Sequence, residues 1–190
     1  MNYKFAKPFV LAGAISGLAL LPACSSDTTD ETVEGTQEDT SRTLAAALGE
    51  MPDMASLNGA LSSAQLVSIF EGAASYTVLA PNDDAFAALG EEGQALMTEE
   101  QRPVLTGVLR EHILPGHMTP ENIRSAIESQ DGEVAMTTFG GEQITFTLDG
   151  ETIVATLPSG QSTRFSGNAI AATNGVIIPV DSVLVPGEDG

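Results

Sequence analysis

Apolar residues recur at the helical spacing i, i+3, i+4, i+7 in the first part of the chain. One such stripe runs from Leu57 to Ala64 and another from Leu105 to His112. Each stripe predicts a helix that buries one face against a core. Residues 98–101 have the Thr-x-x-Gln form of a capping box, so we expect the second helix to begin at Thr98. His112 then ends the buried face of that helix.

After residue 133 the apolar period falls to two, which is typical of strands with one buried face. The runs 134–139, 142–148 and 151–157 follow this pattern, and the Gly140-Gly141 and Asp149-Gly150 pairs between them favour tight hairpin turns. These runs predict an antiparallel meander. Helices in the first part and mostly antiparallel strands in the second place the chain in the α+β class.

A further run, residues 176–185, is apolar on both faces and predicts a strand buried in the sheet. Asp181 lies inside this run. A buried carboxylate is costly unless it accepts hydrogen bonds. We therefore expect Asp181 to be a structural residue, bonded to backbone amides or to a hydroxyl, in preference to a binding residue.

The densest local signal is the stretch 76–86, where a short strand, a proline turn and a helix start follow one another. Asn82, Asp83 and Asp84 come where the first free amides of that helix need acceptors, which predicts helix capping. The alternative is a hard cation such as Ca²⁺, because carboxylate oxygens are its preferred ligands. We favour capping because of the position of the three residues at the helix start.

The N-terminus has the layout of a secretory leader. Two lysines precede an apolar run over residues 9–20, which is too short for a comfortable membrane span. The Leu-Pro-Ala-Cys sequence at 21–24 resembles a bacterial lipobox, which predicts a lipoprotein signal peptide over residues 1–23 and lipidation of Cys24. The alternative is a secreted protein with a stray thiol. It is less favoured because Cys24 is the only cysteine and has no disulfide partner in the chain.

Residues 25–41 are rich in Ser, Thr, Asp and Glu and predict a solvated tether. The expected organisation is a leader over 1–23, the lipidated Cys24 with an acidic disordered tether over 24–42, a folded domain over 43–186 and a disordered tail over 187–190. The lipid on Cys24 would hold the chain at a membrane of the bacterial cell envelope, either the outer membrane or another periplasmic or extracellular face.

The formal net charge of −19 restricts the classes of partner that the chain can bind. Nucleic acid is excluded because its phosphates require Lys and Arg. Both lysines lie in the predicted leader, so the processed chain would keep five arginines and all 26 acidic residues. This composition fits either a saline habitat or an ordinary acidic secreted protein.

The sequence offers little catalytic chemistry. His112 and His117 are the only residues that could act as bases near neutral pH, and the chain has neither a Gly-x-Ser-x-Gly elbow nor a His-Glu-x-x-His zinc helix. We therefore predict no enzyme activity, no catalytic residues, no cofactor and no metal site. His112, at the end of a core stripe, is interpreted as a packed and hydrogen-bonded structural residue. The alternative is a catalytic or ligand-binding histidine.

Three stretches, in this order, resemble the signatures of the fasciclin domain: YTVLAPNDDAFAAL, LREHILPG and NGVIIPVDSVLVP. The resemblance covers residues 43–186. It implies a wedge-shaped β-sandwich of mostly antiparallel strands flanked by several helices. It also implies a role in adhesion or binding at the cell surface.

Two departures from the family pattern concern binding. Glu111 stands where the central motif usually has tyrosine, and Ile178 stands where the closing signature often has histidine. The integrin recognition proposed for animal members centres on the Tyr-His pair, so we do not carry it over to this chain.

The sequence thus predicts a non-enzymatic, lipid-anchored module that mediates adhesion or binds a surface protein, a matrix protein or a polysaccharide, with a monomeric domain. The alternative is a binding domain for a small ligand or polymer, with a cleft near His112 and with hydrolytic activity left open. The candidate binding or structural residues are His112, Asn82, Asp83 and Asp181.

Overall fold

A computed structural model describes residues 35–39 and 41–187. The predictions for the leader, for Cys24 and for residues 188–190 lie outside the described residues. The helices are α1 (Leu44–Glu50), α2 (Ala55–Ser63), α3 (Asp83–Ala88), α4 (Gly90–Leu96), α5 (Arg102–Glu111) and α6 (Pro120–Ser129), with short 3₁₀ turns at Pro52–Met54 and Val67–Glu71. The strands are β1 (Thr36–Glu38), β2 (Tyr76–Pro81), β3 (Ile113–Pro115), β4 (Glu133–Thr137), β5 (Gln143–Asp149), β6 (Thr152–Thr156), β7 (Ser162–Arg164), β8 (Ala169–Ala172) and β9 (Gly175–Val180).

The strands form two sheets. One has the order β1-β8-β9-β2-β3, with β9 parallel to β2 and β1 parallel to β8. The other has the order β4-β5-β6-β7 and is antiparallel throughout. The meander predicted from the period-two pattern is therefore confirmed, and so is the α+β class with mostly antiparallel strands, the first sheet being mixed.

The two faces of the first sheet bury two different cores. Val78 of β2 and Ile177 of β9 belong to the core formed with helices α1, α2 and α5. Leu79 and Ile178, the next residues along the same strands, belong to the core shared with the second sheet. Successive side chains of a strand point to opposite faces, so a strand between two cores is apolar at most positions. This explains the apolar runs in β2 and β9.

The predicted strand at 176–185 is too long. β9 ends at Val180, and Asp181 is exposed beyond its end instead of lying in a buried strand. The apolar residues that follow are buried for another reason: the Leu184 side chain belongs to the core between the sheets. Burial therefore continues after the strand has ended.

The capping box predicted at Thr98 is also wrong. Helix α5 begins at Arg102, and no side chain caps its first turn. The Thr98 hydroxyl instead donates to the carbonyl of Ala95, near the C-terminal end of α4. The same carbonyl also accepts from the backbone N–H of Thr98, so Thr98 closes the end of α4 instead of opening α5.

The predicted disordered tether extends too far, because β1 is part of the sheet. Residues 36–38 pair with residues 169–171 of β8, and the amide and hydroxyl of Thr36 both donate to the Glu121 carboxylate. Its polar sequence gives no hydrophobic signal, and backbone pairing with a sheet edge needs none. The ordered domain therefore includes residues N-terminal to the predicted boundary at residue 43.

In the part of the chain that the structure describes, no helix combines the length and apolar character needed to cross a membrane.

Candidate functional site

His112 caps the end of helix α5 and is almost fully buried, with 1% of its surface exposed. Its Nδ1 lies 2.9 Å from the carbonyl oxygen of Val108, one turn earlier in the helix. Its Nε2 accepts a hydrogen bond of 2.9 Å from the backbone N–H of Leu184. Because an accepting Nε2 carries no hydrogen, the ring is neutral with its hydrogen on Nδ1, which donates to Val108.

Burial lowers the pKa of His112 from 6.5 to about 4, and the hydrogen bond to the Val108 carbonyl opposes this effect only in part. The ring is therefore uncharged at neutral pH. Both nitrogens are engaged with backbone groups, so neither is free to take a proton from a substrate or to bind a ligand. The geometry of His112 is that of a structural link between α5 and the segment after β9.

Asn82 and Asp83 both cap helices, but they cap two different ones. The Asn82 side chain accepts from the backbone N–H of Ala85 at 2.8 Å and is the N-cap of α3, as predicted. Asp83 instead accepts from the backbone N–H of Ser56 at 2.7 Å, in the first turn of α2. This backbone hydrogen bond holds the pKa of Asp83 below its usual value. The prediction that Asp83 caps the helix beginning in its own stretch is therefore wrong.

Asp181 has the kinds of partners that the sequence led us to expect. Its Oδ1 accepts from the backbone N–H of Arg164 at 2.9 Å and from the hydroxyls of Thr163 and Ser182 at 3.2 and 3.0 Å. These bonds join the end of β9 to β7. Because the carboxylate is exposed, it costs less to hold there than the buried position we expected.

The four predicted residues do not form one active site. The His112, Asn82, Asp83 and Asp181 side chains make hydrogen bonds to different residues, and no two of them share a partner. Within residues 35–39 and 41–187, no three His, Cys, Asp or Glu side chains are arranged so that they could hold a metal ion.

Two residues of the closing signature have roles that turn chemistry alone did not predict. The Asn174 amide is buried, accepts from the N–H of Leu44 at 2.8 Å and donates to the carbonyl of Phe70 at 2.7 Å. Gly175 lies so close to the Tyr76 carbonyl that a Cβ would overlap it. The Asn-Gly pair therefore joins the start of α1 to β2, in addition to making the turn before β9. Only knowledge of the long-range contacts reveals this role.

Glu111 is buried beside His112, with 4% of its surface exposed. The Thr138 hydroxyl donates to its Oε2. A Cβ on Gly140 would overlap its carboxyl group, so the glycine permits the close approach. Burial raises the pKa of Glu111 and the charge of Glu142 raises it further, whereas hydrogen bonds from the Thr138 hydroxyl and the Glu142 backbone N–H lower it. The departure from the family's tyrosine has thus placed an acid under the loop 138–142.

The same loop carries an exposed aromatic ring. Phe139 is 36% exposed, and its ring meets Tyr76 edge to face at a centroid distance of 5.9 Å. The Arg110 guanidinium lies 5.1 Å from the centre of the Phe139 ring. We call Tyr76, Arg110 and Phe139 the aromatic patch. Sequence reasoning missed it because Phe139 was assigned to a strand and no local pattern pairs it with Tyr76.

The family model for the fasciclin domain matches residues 52–186, which is more than half of the chain. The chain belongs to the fasciclin family. Protein sll1483 of Synechocystis sp. (strain ATCC 27184 / PCC 6803 / Kazusa) is 30% identical over 180 residues, which cover 93% of this chain and 92% of that protein. Both fasciclin assignments made from the sequence, the family and the fold, are confirmed.

Two further comparisons involve larger proteins. Transforming growth factor-beta-induced protein ig-h3 of the pig, Sus scrofa, is 28% identical over 132 residues, which cover 68% of this chain but 17% of that protein. The structure of a FAS1 domain pair from the insect cell adhesion molecule fasciclin I matches with a TM-score of 0.68 at 14% identity, over 77% of this chain and 52% of that one. The structural match concerns the fold alone.

Proposed function

We propose that this fasciclin protein is a non-enzymatic module that is held at a bacterial cell envelope by a lipid on Cys24 and binds a surface protein, a matrix protein or a polysaccharide. Fasciclin domains are generally modules for cell adhesion and matrix binding, which supports the general role. The lipobox-like sequence at 21–24 supports the anchor.

The engagement of His112 is the observation on which the non-enzymatic proposal rests. The residue that matches the family's histidine is buried, and each of its ring nitrogens is bonded to the backbone. If His112 were the centre of a binding cleft or of a hydrolytic site, at least one of its ring nitrogens would have to be free to contact the ligand. This argues against the alternative of a small-ligand or polymer cleft near His112.

The aromatic patch is the surface on which we expect binding. Tyr and Arg are enriched at the centres of protein interfaces, and exposed aromatic rings supply large contact areas with little loss of side-chain entropy. The patch also contains Arg110, a positive charge on a strongly acidic chain. A partner with a negative or polar group beside an apolar one would complement it.

The binding experiment compares two variants that each remove an exposed apolar side chain. The full chain with Cys24→Ser is immobilised and exposed to whole cells and envelope fractions of the source bacterium. Phe139→Ala should reduce retention of the captured partner by tenfold or more, as expected for an interface anchor. Val104→Ala, at a residue that is 50% exposed on α5, is the matched control and should leave retention unchanged. Equal retention by both variants would remove the patch from the proposal.

The anchor is tested separately by mass spectrometry of the membrane fraction. We expect a chain that begins at Cys24 and carries acyl groups, and we expect Cys24→Ser to move the protein out of that fraction. An unmodified Cys24 or an uncleaved leader in the wild-type protein would contradict the lipid-anchored part of the proposal, without bearing on the binding surface.

A further inference from the structure

The loop 138–142, between β4 and β5, is fastened to the end of α5 by a small set of bonds. The backbone N–H of Phe139 donates to the carbonyl oxygen of Ile113 at 2.7 Å. The backbone N–H of Gly140 donates to the carbonyl oxygen of Arg110 at 3.1 Å. The Thr138 hydroxyl donates to the buried carboxyl group of Glu111. The position of the exposed Phe139 ring therefore depends on how well Glu111 and the loop fit together.

One oxygen of a second carboxyl group, that of Glu142 in this loop, lacks a donor. Oε2 of Glu142 is inaccessible to solvent and accepts no hydrogen bond. A buried carboxylate oxygen without a donor carries a large desolvation cost. The Glu142 charge also acts unfavourably on Glu111. The Glu111 carboxyl has the Thr138 hydroxyl and the Glu142 backbone N–H as donors, whereas Oε2 of Glu142 has none.

No basic side chain resolves this shortage. The other charged or titratable side chains on the elements packed here are Arg102 and Arg110 on α5, His112 at its C-terminal cap, Tyr76 on β2, Glu133 on β4 and Asp149 on β5. Strand β3 carries none. Both ring nitrogens of His112 are hydrogen-bonded to backbone groups, one to Val108 and one to Leu184, and the Arg110 guanidinium lies over the Phe139 ring. None of them donates to Oε2 of Glu142.

We propose that Glu111, Thr138 and Glu142 form a proton-dependent latch that holds the loop 138–142, and with it the Phe139 ring, against the end of α5. A proton retained on the buried Glu111 carboxyl keeps that group uncharged beneath the loop, and so keeps the loop closed. When that proton leaves to solvent, two negative charges repel each other and the loop loosens. The loop closes at acidic pH and loosens as the pH rises above the ordinary range of a glutamate.

The latch is independent of any partner, and only its effect on binding rests on the proposed function. If the aromatic patch binds a partner, then release of the loop moves Phe139 away from Tyr76 and changes that surface. The site would then respond to acidification of its surroundings. A failure to find a partner would leave the latch itself intact.

Tyr76 is a natural probe of the loop because its ring contacts Phe139 and the chain has two tyrosines. The full chain with Tyr3→Phe and Cys24→Ser carries Tyr76 as its sole tyrosine, so a fluorotyrosine label reports at that position alone. Its ¹⁹F signal is followed as the pH is raised from acidic to slightly alkaline values. We expect one titration step above the ordinary glutamate pKa.

Three variants decide the outcome. Glu111→Gln keeps a donor at the site in a form that cannot ionise, so the step should disappear and the closed signal should persist. Glu142→Gln removes the repulsion and should move the step to lower pH. Glu133→Gln, at an exposed residue on β4, should leave the step unchanged. The latch would be overturned if the wild-type protein showed no titration step. It would also be overturned if the step survived in Glu111→Gln and was not shifted in Glu142→Gln.

Discussion

The backbone N–H of Leu184 donates to Nε2 of His112 at 2.9 Å and so ties the segment after β9 to the end of helix α5. His112→Phe keeps the bulk of the ring but leaves the Leu184 amide and the Val108 carbonyl unsatisfied in the core. We expect the free energy of unfolding to fall by about 2 to 4 kcal/mol. Urea denaturation measures the change. His117→Gln, at the exposed histidine, should alter it little, and equal effects of the two substitutions would contradict the structural role of His112.

The same histidine should make stability depend on pH. Its pKa is about 4 in the folded protein, against 6.5 as the ordinary value, so the unfolded chain binds more protons between these limits. Stability is therefore present above pH 6.5 and is lost as the pH falls towards 4, by about 3 kcal/mol at most. The difference in unfolding free energy between wild type and His112→Phe should shrink over this range. A constant difference would show that His112 does not titrate as its burial requires.

Asp83 should contribute to stability although it is not part of helix α2, whose first turn it caps. Asp83→Ala leaves the Ser56 amide without its acceptor and should cost roughly 1 kcal/mol, the usual value of a lost cap. The adjacent Asp84→Ala, at an exposed residue, is the control. Because the folded-state pKa of Asp83 is lowered, its contribution is present above the ordinary aspartate pKa and is lost in stronger acid. If Asp83→Ala and Asp84→Ala had the same melting temperature, Asp83 would not be the cap of α2.

Gly140 should be intolerant of a side chain even though its backbone angles suit other residues. Gly140→Ala forces a methyl group into the Glu111 carboxyl and should destabilise the domain by about 1 to 3 kcal/mol. In a Glu111→Ala background the penalty should shrink, because the overlapping group is gone. Gly107→Ala is the matched control: it has open space around it on helix α5 and should be neutral or stabilising by up to about 1 kcal/mol. A penalty at Gly140 that is unchanged in the double variant would mean that Glu111 is not the obstacle.

The sequence predicted those parts of the fold that depend on local pattern. The meander over residues 134–157 was predictable because alternation and glycine turns act within a few residues. The Asn82 cap was predictable for the same reason. Strand β1 was not, since a polar segment at a sheet edge is held by backbone bonds that leave no hydrophobic pattern. The end of β9 was missed because Leu184 is buried for reasons unrelated to strand pairing.

The candidate site was less predictable than the fold. The burial of His112 followed from its place on an apolar stripe, whereas its bond to Leu184 joins residues 72 positions apart. Asp83 is a residue type that commonly caps the helix next to it, but it accepts from the backbone N–H of Ser56 in α2, 27 positions earlier. Glu111 was recognised as a departure from the family pattern, but its burial against Gly140 and Thr138 depends on where the loop 138–142 folds. Such contacts are properties of the tertiary structure.

The placement of β1 has a mechanical consequence. If the chain is anchored through Cys24 as proposed, a pull between the anchor and a bound partner reaches β1, Thr36–Glu38, before the other described helices and strands. The load then falls on backbone bonds to β8 and on the Thr36–Glu121 contacts, and it does not fall directly on the apolar cores. A three-residue strand that buries little apolar surface is the element that would yield first. Its release would add chain length between the proposed anchor and the domain while leaving the aromatic patch in place.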